Sequence, residues 1–545
     1  MRMRGMSETI RVRRRGTLEA AGVWLMLLAA TPGGAASPPV EVRSEPAGGT
    51  GPAELRIEDG QIRLSVDEAV ALALERNLGL RVQRFGRQQA RLGVDQAMGI
   101  YDLGLSGGVS ASHDESPAAS NLEGAEVQKQ DRQGFTIGLA QLLKSGGTAG
   151  ASWSNGRLKT NSQFFLLNPS YSSGLDLSLR QPLLRGFGRD ATEFEIQVAR
   201  LQSDVAREGF LEQVIATVQR AENAYWSLVG ARYRLRVAEE SLALARQLHE
   251  NNRIRVDVGT LAPLELASSE AGIATRQEEI IRTRGAIGDA EDLLRYLLNL
   301  DDERTWALPI LPETEIRTEP LSVTLEESLA SALQSRPELS REHVAQRTRE
   351  VQAVFYRQLA RPRLDLAATY GFNGVGGDAI LRDEQGNVIG TASGGWDDAL
   401  DHITGFDFPG WSVGLEFGYP LRNRSARARA TIADLAVEQG RVNLEQIRQA
   451  VQAEVRVAVR GLDTARQQME SARVSVTLAE KNLDAERKKY DNGLSTSFEI
   501  LRVQDDLTAA RSRLVAAETG YRMALVEYHR SVGKLLDFAG VSVSD

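Results

Sequence analysis

The chain writes one pattern twice, and that duplication limits what it can fold into. LSVDEAVALALERNLGL (Leu64 to Leu80) returns as VTLEESLASALQSRPEL (Val323 to Leu339). RVDVGTLAPLEL (Arg255 to Leu266) returns as KYDNGLSTSFEI (Lys489 to Ile500). Two such units fill nearly everything after residue 60, and each is a helix-and-strand unit rather than a closed domain. Half a structure written twice points to an object that closes only by assembly, such as a tube.

Helical patterns dominate both units. Asp190 to Val256 and Arg424 to Tyr490 are each 67 residues without proline. As helices they would each be about 100 Å long, far more than a globular core needs. From Phe210 through Val214, Val218, Ala221, Tyr225 and Leu228 to Ala245, apolar or small residues recur in steps of three and four. That is a coiled-coil seam. At an offset of 234 it repeats: Leu228 with Leu462, Ala231 with Ala465, Leu235 with Met469, Leu242 with Val476. Alanine at alternate seam positions lets neighbouring backbones approach closely.

Each long helix should end at a glycine, Gly259 or Gly493, in a left-handed conformation. A second helix then starts, with Pro263 at its first position in copy one. In copy two Thr496 and Glu499 read as a capping box, and Glu265 aligns with Glu499. Each copy therefore contains a long antiparallel helical hairpin.

Between the first and second helices of each copy the period becomes two. Trp411, Val413, Leu415, Phe417 and Tyr419 alternate with small or polar residues, as do Leu175, Leu177 and Leu179. Phe135, Ile137 and Leu139 make another run, and Leu364 to Phe372 a looser one. The final runs close at Pro182 and Pro420. Apolar and aromatic residues on one face and polar ones on the other suit a transmembrane barrel better than a small soluble sheet. Copy one carries two added β-like runs, Gly134 to Leu143 and Gly147 to Trp153. Copy two has an acidic, glycine-rich stretch instead, read as a loop (Gly374 to Asp407).

Composition removes other classes. There is no cysteine, so disulfides, thiol catalysis and thiolate metal sites are excluded. The formal charge of -8 leaves no basic footprint for nucleic acid. His113, His249, His343, His402 and His529 are scattered, with no pair at metal-ligand spacing. No phosphate-cradling loop, nucleophile elbow or zinc-protease helix is present, and RGFGRD (Arg185 to Asp190) is an incomplete dinucleotide fingerprint. Asp378, Asp397, Asp398 and Asp401 could hold calcium, but a solvated acidic loop is the simpler reading. No cofactor and no enzyme activity are expected. Residues 1–36, with Arg11, Arg13, Arg14 and Arg15 before the apolar Ala20 to Ala30, read as a signal peptide, and 37–60 as a flexible lead-in. No later run of about 18 apolar residues exists to make a membrane helix.

In their duplicated order these features resemble the outer membrane efflux proteins, the TolC family, over roughly residues 60–535. The resemblance implies a mainly α chain with a β-barrel part: two structural repeats, each a coiled-coil hairpin plus transmembrane strands, in a trimeric α-barrel/β-barrel. The first repeat would span 61–300, with strands about 103–183 and a hairpin 190–300 whose tip lies near 259. A linker in the equatorial region (301–322) would lead to the second repeat, 323–537, with strands about 364–421 and a hairpin 424–537 whose tip lies near 493. Residues 538–545 would be a C-terminal tail.

The implied function is a passive exit duct of a tripartite efflux or type I secretion system in the outer membrane of a Gram-negative-type bacterium, its helical part in the periplasm. A non-conducting periplasmic coiled-coil spacer is the alternative. The implied partners are two further copies, outer membrane lipid, a periplasmic adaptor and an inner-membrane pump of the RND, ABC or MFS type. The adaptor would grip Val258, Gly259, Thr260 and Leu261, and Asn492, Gly493, Leu494 and Ser495. The family's periplasmic aperture is closed by residues six and nine past the second tip glycine, here Glu499 and Arg502. Arg502 reverses the acidic sign the family carries there, so the pair could salt-bridge between protomers. The two added runs in copy one depart from two strands per copy and would either form an outer hairpin or enlarge the barrel.

Overall fold

The computed structural model describes residues 55–117, 126–162, 164–317, 319, 321–384 and 388–543, and the backbone of 42–44. The expected signal peptide and most of the lead-in lie outside the described residues. The chain divides into a small unit, Met1–Arg43 with Val543–Asp545, and a large one, Ser44–Ser542. Two short strands, β1 (Val42–Ser44) and β12 (Val541–Val543), lie at that division. Everything below concerns the large unit.

Its elements follow the duplication. Strands β2 (Arg56–Glu58) and β3 (Gln61–Leu64) precede helices α1 (Val66–Arg76) and α2 (Leu78–Met98). Arg56–Glu58, inside the stretch read as lead-in, is a strand that pairs with Gln61–Arg63 through a turn at Asp59 and Gly60, both at positive φ. Strands β4 (Gly104–Pro117), β5 (Val127–Leu142), β6 (Thr148–Thr160) and β7 (Leu167–Pro182) come next. Helices α3 (Arg189–Thr192), α4 (Phe194–Asp257), α5 (Leu264–Leu297) and α6 (Glu303–Trp306) and strand β8 (Ile310–Pro312) complete the first copy. The second runs α7 (Leu325–Ser335), α8 (Pro337–Leu359), β9 (Arg363–Arg382), β10 (Val388–Ala392), α9 (Trp396–Gly405) and β11 (Pro409–Gly418). It ends with α10 (Arg424–Asp491), α11 (Ser497–Ser531) and α12 (Leu535–Phe538).

The repeated leading segment is a capping signal. The Ser65 hydroxyl accepts from the Glu68 amide and the Glu68 carboxylate accepts from the Ser65 amide, closing a capping box on α1. Thr324 likewise accepts from the Glu327 backbone at the start of α7. The 64 residues of α4 and 68 of α10 make rods of about 95 and 100 Å. Along α4 the shorter α2 and α5 pack in succession; along α10, α8 and α11 do so. The seam is the core: Phe210, Val214, Val218, Ala221, Tyr225, Leu228 and Ala231 are buried on α4, and Leu462 and Met469 on α10. Across the break between half-length helices, β2, β3 and β8 form a small sheet. The following segment hangs on two fully buried tyrosines. The Tyr225 hydroxyl accepts from the Thr314 amide at 2.9 Å, and Tyr521 donates to the Glu319 carbonyl at 3.0 Å.

The large sheet runs β4–β5–β6–β7–β9 with all neighbours antiparallel, and β9, the longest, pairs on its far side with β11 and then β10. The added runs of copy one are the two halves that flank the turn between longer strands, the end of β5 and the start of β6. The stretch read as an acidic loop in copy two is not one: β9 continues to Arg382, β10 turns back, and α9 folds over the sheet. Glycine makes this possible. A Cβ on Gly374 would sit 1.9 Å from the Ala399 carbonyl oxygen of α9, and one on Gly376 2.2 Å from the Gly395 carbonyl. The aspartates start the helix: Asp398 accepts from the Gly395 amide at 2.9 Å and Asp378 from Gly394 at 3.2 Å. Among the described residues no acidic or histidine cluster could hold a metal.

Candidate channel surfaces

The sheet has one apolar and one polar face, and register defines both. Leu105, Leu139, Ala151, Leu177, Tyr370 and Trp411 lie side by side in one row across six strands. The adjacent row on the opposite face is Gly104, Ala140, Gly150, Ser178, Thr369 and Ser412. On β11, Trp411, Val413, Leu415 and Phe417 are all more than 60% exposed, which water would penalise and hydrocarbon would not. The apolar face of β9 runs from Leu364 to Gly374. At about 3.4 Å per residue and about 40° of tilt this spans about 26 Å, the height of the lipid-facing band of membrane barrels. At the α9 end an aromatic cluster closes the band. Trp396 stands against Phe135 and Trp153, with centroids 6.1 and 5.9 Å away, and donates to Asn155 Oδ1 at 2.9 Å. Beyond it the same face turns charged, with Arg157, Asp131, Lys129 and His113. At the opposite end the polar face carries an ion cluster joining three strands. Arg180 reaches Asp365 at 3.0 Å and also pairs with Glu416, which Arg363 contacts at 3.4 Å.

The other end of the helices holds the two tips. Both close with the same Schellman cap. Gly259 (φ +75) donates to the Val256 carbonyl and Thr260 to Arg255; Gly493 (φ +76) donates to Tyr490 and Leu494 to Lys489. Val258, Gly259 and Thr260 are exposed and Leu261 half-buried; Asn492, Gly493 and Leu494 are exposed and Ser495 half-buried. Apolar side chains ring both tips, with Ile254, Val258 and Leu264 on one and Leu494 and Phe498 on the other, all exposed. The Ser495 hydroxyl bonds to Glu486, and this contact with the nearby Lys489 ammonium holds the Glu486 carboxyl below the usual carboxylate range. Pro263 precedes α5 as its cap residue, one position earlier than expected.

Glu499 and Arg502 pair with each other one turn apart, at 2.8 Å, with Arg502 on the exposed surface. Thr496 accepts from the Glu499 amide, but the Glu499 carboxylate turns forward to Arg502 instead of back to the helix start. The capping box read from sequence is therefore half formed, because a guanidinium within reach is the stronger partner.

Sequence reasoning missed what joins the tips. Asn252 on α4, Tyr490 on α10 and Ser497 on α11 form a closed buried triad. Asn252 donates to Ser497 Oγ at 2.9 Å, Tyr490 donates to Asn252 Oδ1, and the two hydroxyls lie 3.2 Å apart. Arg255 lies over the Tyr490 ring and donates to its carbonyl at 3.2 Å. A little higher, buried Arg276 of α5 bonds Asp505 of α11 at 2.7 Å. The two hairpins are thus linked to each other and not merely adjacent. Asn252 lies between two exposed or charged neighbours in the seam's terminal turns, and a polar residue there carries no periodic signal.

A membrane-height sheet with a polar inner face, continued by very long coiled-coil hairpins, defines a channel protein of the outer membrane with a periplasmic helical part. Residues 329–534 match the outer membrane efflux protein family. That match covers the second copy, and the fold of the whole chain is similar to that of outer membrane channels. The outer membrane efflux protein BepC of Brucella suis biovar 1 is 24% identical over 380 residues, 68% of this chain and 74% of that one. The fold is similar to that of the Campylobacter jejuni CmeC outer membrane channel (TM-score 0.61, 16% identity, 86% of each chain). It is also similar to VceC from Vibrio cholerae (TM-score 0.60, 14% identity, 86% of this chain and 96% of that one). Among the described residues no helix is long and apolar enough to cross a membrane.

Proposed function

We propose that three copies assemble into one exit duct that passively conducts substrates from a periplasmic adaptor and an inner-membrane pump to the exterior. The observation that carries this reading is a second apolar seam that the single chain leaves bare. On α10, Ile432, Leu435, Val442, Val457, Val474 and Leu478 are exposed over nearly the whole helix. On α2 a matching stripe, Leu78, Val82, Phe85 and Leu92, is also exposed. Two different bare flanks on one chain suit head-to-tail packing, which closes into a ring. The tip residues Val258 to Leu261 and Asn492 to Ser495 are the adaptor contacts in this reading, their apolar collars offering area to bury. Glu499 and Arg502 form the aperture, with Arg502 exchanging partners between Glu499 of its own chain and that of the next.

The test is native mass spectrometry of detergent-purified protein, followed by conductance in planar bilayers. A heat-modifiable trimer that conducts is expected. A monomer soluble without detergent would instead favour a non-conducting periplasmic spacer. In the same bilayers Arg502→Ala should change open probability and cation selectivity; unchanged values would remove Arg502 from the aperture.

A further inference from the structure

We propose that each copy contributes six full strands to the barrel wall, so that the trimeric duct opens through an eighteen-stranded barrel of porin width. This rests on the trimeric reading above. The difference between the copies is the β5–β6 hairpin: where copy two passes from β9 to β11, copy one makes β4, β5, β6 and β7.

Three observations place that hairpin in the wall and not outside it. Pairing is continuous: β4 with β5, β5 with β6 and β6 with β7 run in unbroken antiparallel register. The two faces carry through it, with Phe135, Ile137, Leu139 and Trp153 on the apolar side and Thr136, Gly138, Gly150 and Ser152 on the polar side. A flap in water would need no such alternation. Its lower turn is also anchored at the depth where the other strands meet the helices. Ser145 accepts from the Gly188 amide at 3.0 Å and from Gln181 Nε2 at 3.1 Å, just before α3. Gly146 is at φ +87, and a Cβ there would lie 2.2 Å from the Gly186 carbonyl oxygen. The hairpin therefore spans the full height of the sheet.

The sheet cannot close on itself. A six-stranded barrel would need bulky side chains inside, since even roughly eight strands leave only room for packed side chains. Here the polar face is mostly glycine, serine, alanine and threonine. It is a lining for water. The open edges are β4 and β11, which run in opposite directions, so β4 of one copy can pair antiparallel with β11 of the next. The apolar row from Leu105 to Trp411 then continues around the ring. With strands about 4.8 Å apart and tilted about 40°, eighteen give a backbone diameter of about 35 Å, against about 24 Å for twelve.

The chain lacks cysteine, so introduced pairs report without background. Ser412→Cys on β11 is combined in turn with Ser106→Cys, Gly108→Cys, Ser110→Cys or Ser112→Cys on β4, and separately with Ser152→Cys or Ser154→Cys on β6. Variants are scored only if they remain heat-modifiable trimers. A covalent three-chain band from at least one β4 pair, and none from the β6 pairs, is expected. A three-chain band from β6 pairs alone, or from no pair, overturns the six-strand wall while leaving the trimer intact. Cryo-electron microscopy of the unmodified protein in nanodiscs counts strands directly: eighteen are expected, and twelve in a trimer overturns the proposal. A copy number other than three sinks the trimeric reading itself.

Discussion

Tyr490 and Asn252, 238 residues apart in the chain, donate and accept one hydrogen bond in a pocket that water does not reach. It joins the second hairpin to the first just above the tips, and Ser497 completes it. Tyr490→Phe leaves the Asn252 oxygen without its donor; Asn252→Ala leaves two hydroxyls short. Each should cost about 1–3 kcal/mol in the local stability of the hairpin ends. The double variant should cost less than the two together. Hydrogen exchange at the ends of α4 and α10 measures this, and strict additivity would show that the residues do not act as a unit.

Glu222, buried between α4 and α11, has its carboxyl pushed up to about 7 by burial, which Arg522 only partly offsets; Asp67 also faces it. The folded value lies above the ordinary 4.5. The folded chain therefore holds the proton more tightly than the unfolded one across that interval. Stability should fall as pH rises from about 4.5 to about 7, by up to about 3 kcal/mol. Glu222→Gln should leave thermal stability unchanged at pH 4 and raise it at pH 8. His529 acts with the opposite sign. Burial lowers it from 6.5 to about 4, so its contribution grows as pH rises through that range. In Glu222→Gln the opposing slope is removed, so stability in thermal melts should rise more steeply with pH between 4 and 6.5 than in the parent protein.

Gly374 lies beneath α9 with no room for a side chain. Gly374→Ala should lift α9 from the sheet and separate Trp396 from Phe135 and Trp153. A red-shifted tryptophan emission and faster proteolysis within 396–405 are the expected signs. A variant with native emission would mean that the helix shifts without leaving.

Val457 and Val474 stand on the bare seam of α10. Val457→Asp combined with Val474→Asp puts two charges on a surface that assembly would bury, while the intrachain seam at Leu462 and Met469 is untouched. The trimer should dissociate into folded monomers, seen by native mass spectrometry with unchanged helical circular dichroism.

What the sequence makes legible follows from which forces are periodic. The hairpins stand out because seam burial repeats every three or four residues over dozens of positions. Trp411 to Phe417 stand out because a two-faced strand alternates strictly. The edges of β5 and β6 do not, since Asp131, Arg132, Arg157 and Lys159 leave both faces polar where the strands pass the apolar band. Helix α9 is hidden for a different reason: Gly374 and Gly376 read as loop residues, yet these glycines serve close contact between a strand and a helix. The triad of Asn252, Tyr490 and Ser497 is invisible because three polar residues at single positions have no pattern until the fold brings them together.

The matched caps at Gly259 and Gly493 bear on recognition. Both loops owe their path to a left-handed glycine and two backbone bonds, so they have one shape, while Val258-Gly259-Thr260-Leu261 and Asn492-Gly493-Leu494-Ser495 differ in chemistry. In a trimer they would form a crown of six equal teeth in two alternating kinds. A partner ring could seat on that crown in six orientations by form but in only three by chemistry, so the side chains beside the glycines would set the rotational phase of docking.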